Sequence, residues 1–295
     1  ASIPGAWPDW SETQAVYRFF DQASTAKRAL GWQDILDPHI ARSEARMRQH
    51  PVVLCLQDTT ELDFNGQDIA GLGPLSYEAQ RGMYVHPTYV VTPEREPLGI
   101  TDAWMWAREF KGQDGKRAGV RESLRWIEGY ERIAKTALTM PETRLVYVAD
   151  READILELMQ CAHALGNPAD WLVRSQHNRS LPDGGKLWAE VINGEAVGEI
   201  EFMLPSRHGQ AARVVRQQLR ARSIHLPDGH GGRLRGGHNP IAARDIHLAV
   251  QHHAGTQARS HGLRLARVVE HLGHGGQLAA GEDLHRSEER RVGKE

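Results

Sequence analysis

One short stretch, LVYVADREADILEL at residues 145–158, constrains the fold more than any other part of the chain. Its first five residues are apolar, aromatic or β-branched, which is typical of a buried strand, and they lead directly into Asp150. After Asp150 the apolar residues recur at helical spacing. The stretch therefore predicts a strand that ends on a carboxylate and is followed by a helix. In open α/β sheets this is the edge at which ligands bind.

A second stretch, PVVLCLQDTTELDF at residues 51–64, repeats this pattern. Residues 52–56 form a continuous apolar run after a proline, which favours a buried strand, and the run ends on Gln57 and Asp58. Two strands are thus predicted to end on aspartates. An aspartate after a strand is also a common helix N-cap, and the position of Asp150 fits that role as well.

The remaining periodic segments complete an α/β pattern. Their order predicts an α/β fold with a mixed sheet flanked by helices. A helical pattern covers residues 10–48, with Ser11 as N-cap and breaks at Pro38 and Pro51. Two hairpin strands are predicted over 82–92 and 98–106, and a further strand over 171–173. A helix is predicted over 121–138, and its core-facing residues are Leu124, Ile127, Tyr130 and Ala134.

We expect structural rather than catalytic roles for three kinds of side chain in these segments. The aromatic residues Tyr17, Phe19 and Phe20 are expected to pack in the core, with an exposed aromatic surface as the alternative. His86 lies within a predicted strand, where a single histidine is more often a hydrogen-bonded structural residue than a ligand. Asp154, one helical turn beyond Asp150, is expected behind the candidate site or on the helix surface.

The two strand-end aspartates suggest metal chemistry. Mg²⁺ is commonly held by one or two protein carboxylates together with substrate phosphates, so Asp58 and Asp150 could share a pair of ions that cleaves or transfers phosphodiesters. Nearby basic residues would bind phosphates by charge-assisted hydrogen bonds, with ordinary salt bridges as the alternative for Arg174 and Arg179. The basic candidates are Arg151, Arg174, His177 and Arg179.

Five segments within about residues 5–205 also carry a family resemblance: QAVYRFFDQ, LCLQDTTELDF, SYEAQRGMYVHPTYVV, VYVADREADI and WLVRSQHNR. In this order they resemble the insertion-sequence-four family of bacterial DDE transposases, the group that includes the transposase of transposon five. The resemblance implies a ribonuclease H-like core and two Mg²⁺ or Mn²⁺ ions. It also implies nicking at transposon ends, strand transfer into target DNA, and a homodimeric synaptic complex.

The same resemblance assigns roles to individual residues. Asp58 matches the family's first catalytic, metal-binding aspartate and Asp150 matches the second. Arg174, in the VRS segment, matches an arginine that contacts DNA near the active site.

Two features depart from the family. The family's third carboxylate is a glutamate in a late helix with a motif like YxxRWxIEExxK. That motif is absent here, because no tyrosine follows Tyr147. Glu288 and Glu289 stand in a segment, SEERR, that does not match the motif. The family's DNA-end-binding region is expected largely to precede Ala1. We therefore expect little or no activity from this chain. The alternatives are a metal-dependent nuclease of the same fold and a non-catalytic DNA-binding remnant.

The C-terminal part differs in composition from the rest. Eleven of the sixteen histidines lie from His208 onward, whereas no Phe, Tyr or Trp follows Phe202. We expect an irregular tail and favour translation in a shifted reading frame after about residues 230–235; the terminal SEERRVGKE also resembles a sequencing-adapter artefact. A low-complexity linker and a metal- or DNA-binding arm are the alternatives. The arm would use His252, His253, His271 and His274.

These observations divide the chain into four parts. Residues 1–50 are expected to be a truncated helical DNA-binding region, 51–182 the ribonuclease H-like catalytic core, 183–230 the start of an inserted β region, and 231–295 the tail.

Charge and hydropathy bear on location and partners. The first 205 residues hold 21 Lys and Arg against 30 Asp and Glu, and the remainder holds 15 against 8, so an acidic body carries a basic tail. Such a tail is compatible with a polyanionic partner such as DNA. No apolar run approaches the roughly 20 residues of a membrane span, and the first residues lack a signal-peptide pattern. We therefore expect a bacterial cytoplasmic protein without a membrane partner.

Overall fold

The computed structural model describes residues 3–7, 9–21, 31–206, 210–224, 246–253 and 263–267. The helices are α1 (Ile3–Ala6), α2 (Trp10–Asp21), α3 (Trp32–Met47), α4 (Ser123–Leu138), α5 (Leu156–Ala164) and α6 (Leu187–Ile192), with a 3-10 turn at Arg151–Ala153. The strands are β1 (Val52–Gln57), β2 (Thr60–Asp63), β3 (Gly73–Pro74), β4 (Arg81–Val91), β5 (Pro97–Trp106), β6 (Arg144–Ala149), β7 (Asp170–Ser175), β8 (Ala196–Leu204), β9 (Arg213–Ile224), β10 (Ile246–His253) and β11 (Leu263–Arg267).

A mixed sheet forms the centre of the protein. Strands β1, β6 and β7 run parallel to one another, and β4 lies antiparallel to β1. The hairpin partner β5 pairs with the other edge of β4, which gives the order β5-β4-β1-β6-β7. This arrangement is consistent with a ribonuclease H-like fold, and it confirms the predicted mixed sheet flanked by helices.

The hydrophobic core lies between this sheet and helices α4 and α5. In β1 and β6 every second residue is buried, so each strand turns one row of side chains toward the helices. Tyr130 of α4 is fully buried, and its hydroxyl donates a hydrogen bond to the carbonyl oxygen of Ala169 at 2.7 Å. The burial of Tyr130 and Ala134 confirms their predicted orientation, whereas Leu124 and Ile127 are only half-buried.

The sheet continues beyond β7. Strand β11 pairs antiparallel with β7, and β10, β9 and β8 follow in that order. Strands β10 and β11 lie inside the stretch that was expected to be irregular, so that expectation is wrong for residues 246–253 and 263–267. Their sequences, IHLAVQHH and LRLAR, contain short alternations of apolar and polar residues that allow pairing. His271 and His274 lie outside the described residues.

Two expectations for the N-terminal helices are corrected. Asp9 caps α2 instead of Ser11, because its Oδ1 accepts the backbone N–H of Glu12 at 2.9 Å. Helix α3 continues through Pro38, since its later turns are held against β5.

No helix in the described ranges is long and apolar enough to cross a membrane.

The aromatic residues of α2 do not pack in the core. Tyr17, Phe19 and Phe20 are 42%, 45% and 48% exposed. Helical spacing cannot place all three side chains on one buried face, because residues 17 and 19 point in directions about 160° apart.

Candidate functional site

Asp58 and Asp150 follow two strands that are neighbours in the sheet. Strands β1 and β6 are parallel, and their last residues, Gln57 and Ala149, are partners in the register. Parallel strands lie about 4.8 Å apart, so the residues that follow these partners leave the same edge side by side. The structure thus brings together the two aspartates that the sequence singled out.

Each aspartate also has a local structural role. Asp58 Oδ1 accepts the backbone N–H of Thr59 at 2.8 Å, and Asp150 Oδ1 accepts the backbone N–H of Glu152 at 2.8 Å. Asp150 is therefore an N-cap, but of the 3-10 turn; helix α5 begins only at Leu156. Since a carboxylate has several lone pairs on two oxygens, capping and cation binding are compatible.

Glu152 adds a third carboxylate near the pair. Burial raises its pKa, and the negative charges of Asp150, Asp58 and Glu122 raise it further. The carboxylates of Asp150, Asp58 and Glu122 thus lie near enough to act on the charge of Glu152. The sequence did not single out Glu152, although it lies in the same DREAD segment as Asp150.

A cavity of about 90 Å³ lies beside this edge. Its walls combine aromatic rings with paired charges. Arg108 forms a two-bonded ion pair with Glu122, in which Nη2 lies 2.7 Å from Oε2, and its guanidinium stacks 4.1 Å from the ring centre of Tyr84. The hydrogen bond to Arg108 lowers the pKa of Glu122. The lining residues are Thr59, Glu61, Ser76, Tyr84, Trp106, Arg108, Glu122, Trp126 and Glu152.

The donor set at the sheet edge fits a divalent cation only in part. Two carboxylates match what Mg²⁺ commonly takes from a protein when phosphate and water supply its remaining ligands. Within the described ranges, however, no three His, Cys, Asp or Glu side chains are grouped closely enough to hold an ion. Asp58 and Asp150 therefore fit as partial ligands, and a third protein ligand is not among the described residues.

Arg179 is engaged in a buried ion pair. Its Nη1 lies 2.5 Å from Oδ1 of Asp154, and its Nη2 donates to the backbone carbonyl of Asp154 at 2.8 Å. The side chain of Asp154 is 0% exposed and that of Arg179 is 13% exposed. The salt-bridge alternative for Arg179 is therefore present in the structure, because a buried carboxylate requires a charged partner, and the phosphate contact stays a prediction.

Asp154 lies behind the site and connects two loops. Its Oδ2 accepts the backbone N–H groups of Gln176 and His177 at 2.7 and 2.8 Å, and this ties the segment after β7 to the turn after β6. Its complete burial rules out a place on the helix surface. No direct signal for this link is present in the sequence, since the partners lie more than twenty positions apart.

The other basic candidates lie around the same region of the sheet. Arg174 is half-buried in β7, where Arg264 of β11 is its partner in the register. His177 is exposed in the segment after β7, and Arg151 is exposed in the 3-10 turn after Asp150. These three residues remain candidates for contact with phosphates.

Comparison with known proteins concerns mainly the N-terminal segment. Residues 1–25 match the family model for transposase DNA-binding. The expectation that such a region precedes Ala1 is therefore corrected in part. No curated protein sequence matches the chain. Among solved structures, the chain is similar to one described as a cryo-EM structure of piggyBac transposase synaptic complex with hairpin DNA. The sequence identity is 13%, the TM-score is 0.37, and the match covers 90% of this chain. The match spans 42% of that structure's chain.

Proposed function

We propose that the chain carries the catalytic core of a DNA transposase of the DDE class and of the insertion-sequence-four type. The observation that carries the proposal is the parallel pairing of β1 with β6, which sets Asp58 and Asp150 at one edge of the sheet. The family match at residues 1–25 supports DNA as the partner.

Asp58 and Asp150 are proposed to hold Mg²⁺ or Mn²⁺. When bound, such ions activate an attacking oxygen and stabilise the leaving oxygen of a phosphodiester. The backbone N–H groups of Thr59 and Glu152 orient the two carboxylates, and the charge of Glu152 increases the local attraction for cations. Because the described residues supply no third protein ligand, we expect slow turnover at best.

The DNA backbone is proposed to lie along Arg151, Arg174 and His177. Arg179, which also pairs with Asp154, stays a candidate for this contact. Two copies are proposed to join transposon ends in a synaptic complex in the bacterial cytoplasm.

Salt-dependent DNA binding tests the proposed partner. Binding of a fluorescein-labelled duplex, measured by anisotropy across a salt series, should show a steep salt dependence. Arg174→Ala should weaken binding and lower the slope by about 1. Arg95→Ala is the matched control, because Arg95 is exposed in the turn after β4, on the side of the start of β1, whereas Asp58 follows the end of β1, and the substitution should not change binding.

Two further measurements separate the alternatives. Asp58→Asn should leave the binding of DNA intact, since its proposed role concerns the ion. A strand-transfer assay with transposon-end DNA and Mn²⁺ distinguishes a transposase, which joins ends, from a nuclease, which only cleaves them. Absence of salt-dependent DNA binding would contradict the proposal, and rapid Mg²⁺-dependent cleavage would contradict the expected slow turnover.

A further inference from the structure

A chain of buried hydrogen bonds lies directly behind Asp58. Thr59 Oγ1 is 2.9 Å from His86 Nδ1, and His86 Nε2 is 3.2 Å from Gln57 Oε1. Gln57 Nε2 then donates to Thr88 Oγ1 at 2.8 Å. The chain joins β4 to the residues immediately before and after Asp58.

The direction of these bonds follows from the amide of Gln57. Since its NH₂ group donates to Thr88, its carbonyl oxygen faces His86 and can only accept. With the Gln57 amide in this orientation, His86 carries its proton on Nε2, which leaves Nδ1 as an acceptor for the hydroxyl proton of Thr59. That proton is then not available for donation to the carboxylate of Asp58.

Packing keeps the chain in place. His86 is 2% exposed, and its ring packs nearly perpendicular to that of Trp126 with the ring centres 4.5 Å apart. Gln57 lies against Gly129 of α4 so closely that a Cβ atom there would be 2.2 Å from Gln57 Oε1. Burial, together with the positive charges of Arg132 and Arg125, lowers the pKa of His86 to about 4, so the ring is neutral at neutral pH.

We propose that His86, as the Nε2–H tautomer, is a positioning residue that fixes Asp58 for cation binding by holding Thr59 and Gln57 on either side of it. The proposal rests on the function proposed above. His86 acts through its neighbours and does not itself contact the ion. A fully satisfied buried network is rigid, and residues that orient metal ligands commonly determine the affinity for the metal.

Substitutions at Thr59 test this role with little risk to folding. Thr59→Val replaces the hydroxyl with a methyl group, and Mn²⁺ affinity measured by calorimetry at neutral pH should fall about 10-fold. Thr59→Ser retains the hydroxyl and should restore the affinity. Thr60→Val is the matched control, because Thr60 is the exposed next residue in β2, and its affinity should equal that of the wild type.

A double-mutant cycle separates the network from a direct effect of Thr59. His86→Gln should weaken Mn²⁺ binding to a similar extent, and the double variant should be no worse than either single variant, because both break one network. Additive losses would overturn the inference. Thermal denaturation of each variant establishes that it is folded at the temperature of the titration.

Nitrogen NMR of the histidine rings provides a readout that does not depend on the ion. The wild type should show His86 protonated at Nε2 and not at Nδ1, and Thr59→Val should shift the Nδ1 resonance while Thr60→Val does not. Protonation at Nδ1 would overturn the inference.

Asp58→Asn distinguishes the two proposals. If this substitution leaves Mn²⁺ binding unchanged, the proposed function fails, and the positioning role fails with it even where the NMR result stands. If Asp58→Asn abolishes binding while Thr59→Val binds Mn²⁺ like the wild type, only the role of His86 is wrong.

Discussion

Gln57 and Ala149 are register partners at the ends of two parallel strands, and an aspartate follows each of them. The sheet backbone therefore sets the proximity of Asp58 and Asp150, independently of any contact between their side chains. One backbone N–H group holds each carboxylate in place. The following predictions test how the surrounding core maintains this geometry.

The buried ion pair of Asp154 and Arg179 should be important for stability. Asp154→Asn removes the negative charge that compensates Arg179 and should lower the free energy of unfolding by about 3–5 kcal/mol. Urea denaturation measures the change. Glu201→Gln, which breaks the exposed pair with Arg216, serves as the control and should leave the midpoint unchanged. Equal effects in the two variants would contradict the assigned role of Asp154.

Gly129→Ala should destabilise the protein even though it lies inside a helix. Alanine favours an exposed helix by about 1 kcal/mol over glycine. Here the added Cβ would displace Gln57, and overpacking of this kind costs about 1–3 kcal/mol. Thermal denaturation should therefore show a lower Tm. A higher Tm would mean that Gln57 does not pack against α4.

Acidification should lower the free energy of unfolding because His86 is held in its neutral form in the folded protein. The folded-state pKa is about 4 and the reference value is 6.5, so between these values the unfolded chain binds a proton that the folded protein does not. The contribution of His86 to stability is fully present above about pH 6.5 and is lost as the pH falls toward about 4. The expected loss between pH 7 and pH 5 is roughly 2 kcal/mol. Urea denaturation at the two pH values measures this loss.

The His86→Gln variant provides the comparison for that experiment. Other groups also titrate in this range, but they are common to both proteins, so the difference between wild type and variant isolates the contribution of His86. The variant should lose less stability than the wild type on acidification. Identical pH dependence would show that His86 is not held in its neutral form.

Two leucine substitutions test the position of the core. Leu158→Ala in α5 removes a fully buried side chain and should cost about 2–5 kcal/mol. Leu138→Ala at the end of α4, where the side chain is 73% exposed, should change stability by less than about 0.5 kcal/mol. Chemical denaturation of both variants should give this ranking; a reversed ranking would contradict the described packing.

The elements of the central sheet were predictable because their signals are local. The apolar runs before Asp58 and Asp150 and the hairpin with its polar turn appear as strands within one or two residues of the expected bounds. The helix after Asp150 was predicted to begin too early, because Asp150 caps a separate 3-10 turn.

Features that depend on contacts between distant residues were not predictable. Arg125 lies on the buried face of α4, where its guanidinium stacks 3.9 Å from the ring centre of Trp106 of β5. Periodicity would place a charged residue in solvent, and only the folded structure supplies the aromatic partner. The same reason explains why the sequence left both a salt bridge and a phosphate contact open for Arg179.

Mn²⁺ binding to the wild type and to Asp58→Asn, Asp150→Asn and the double variant tests the central claim most directly. Free Mn²⁺ is measured by electron paramagnetic resonance, with Asp183→Asn, an exposed aspartate in a loop, as the control. If the two aspartates share one site, each single substitution abolishes most of the binding, the double variant adds little further loss, and the control binds like the wild type. Unchanged binding in either single variant would contradict the claim that Asp58 and Asp150 form a shared metal site.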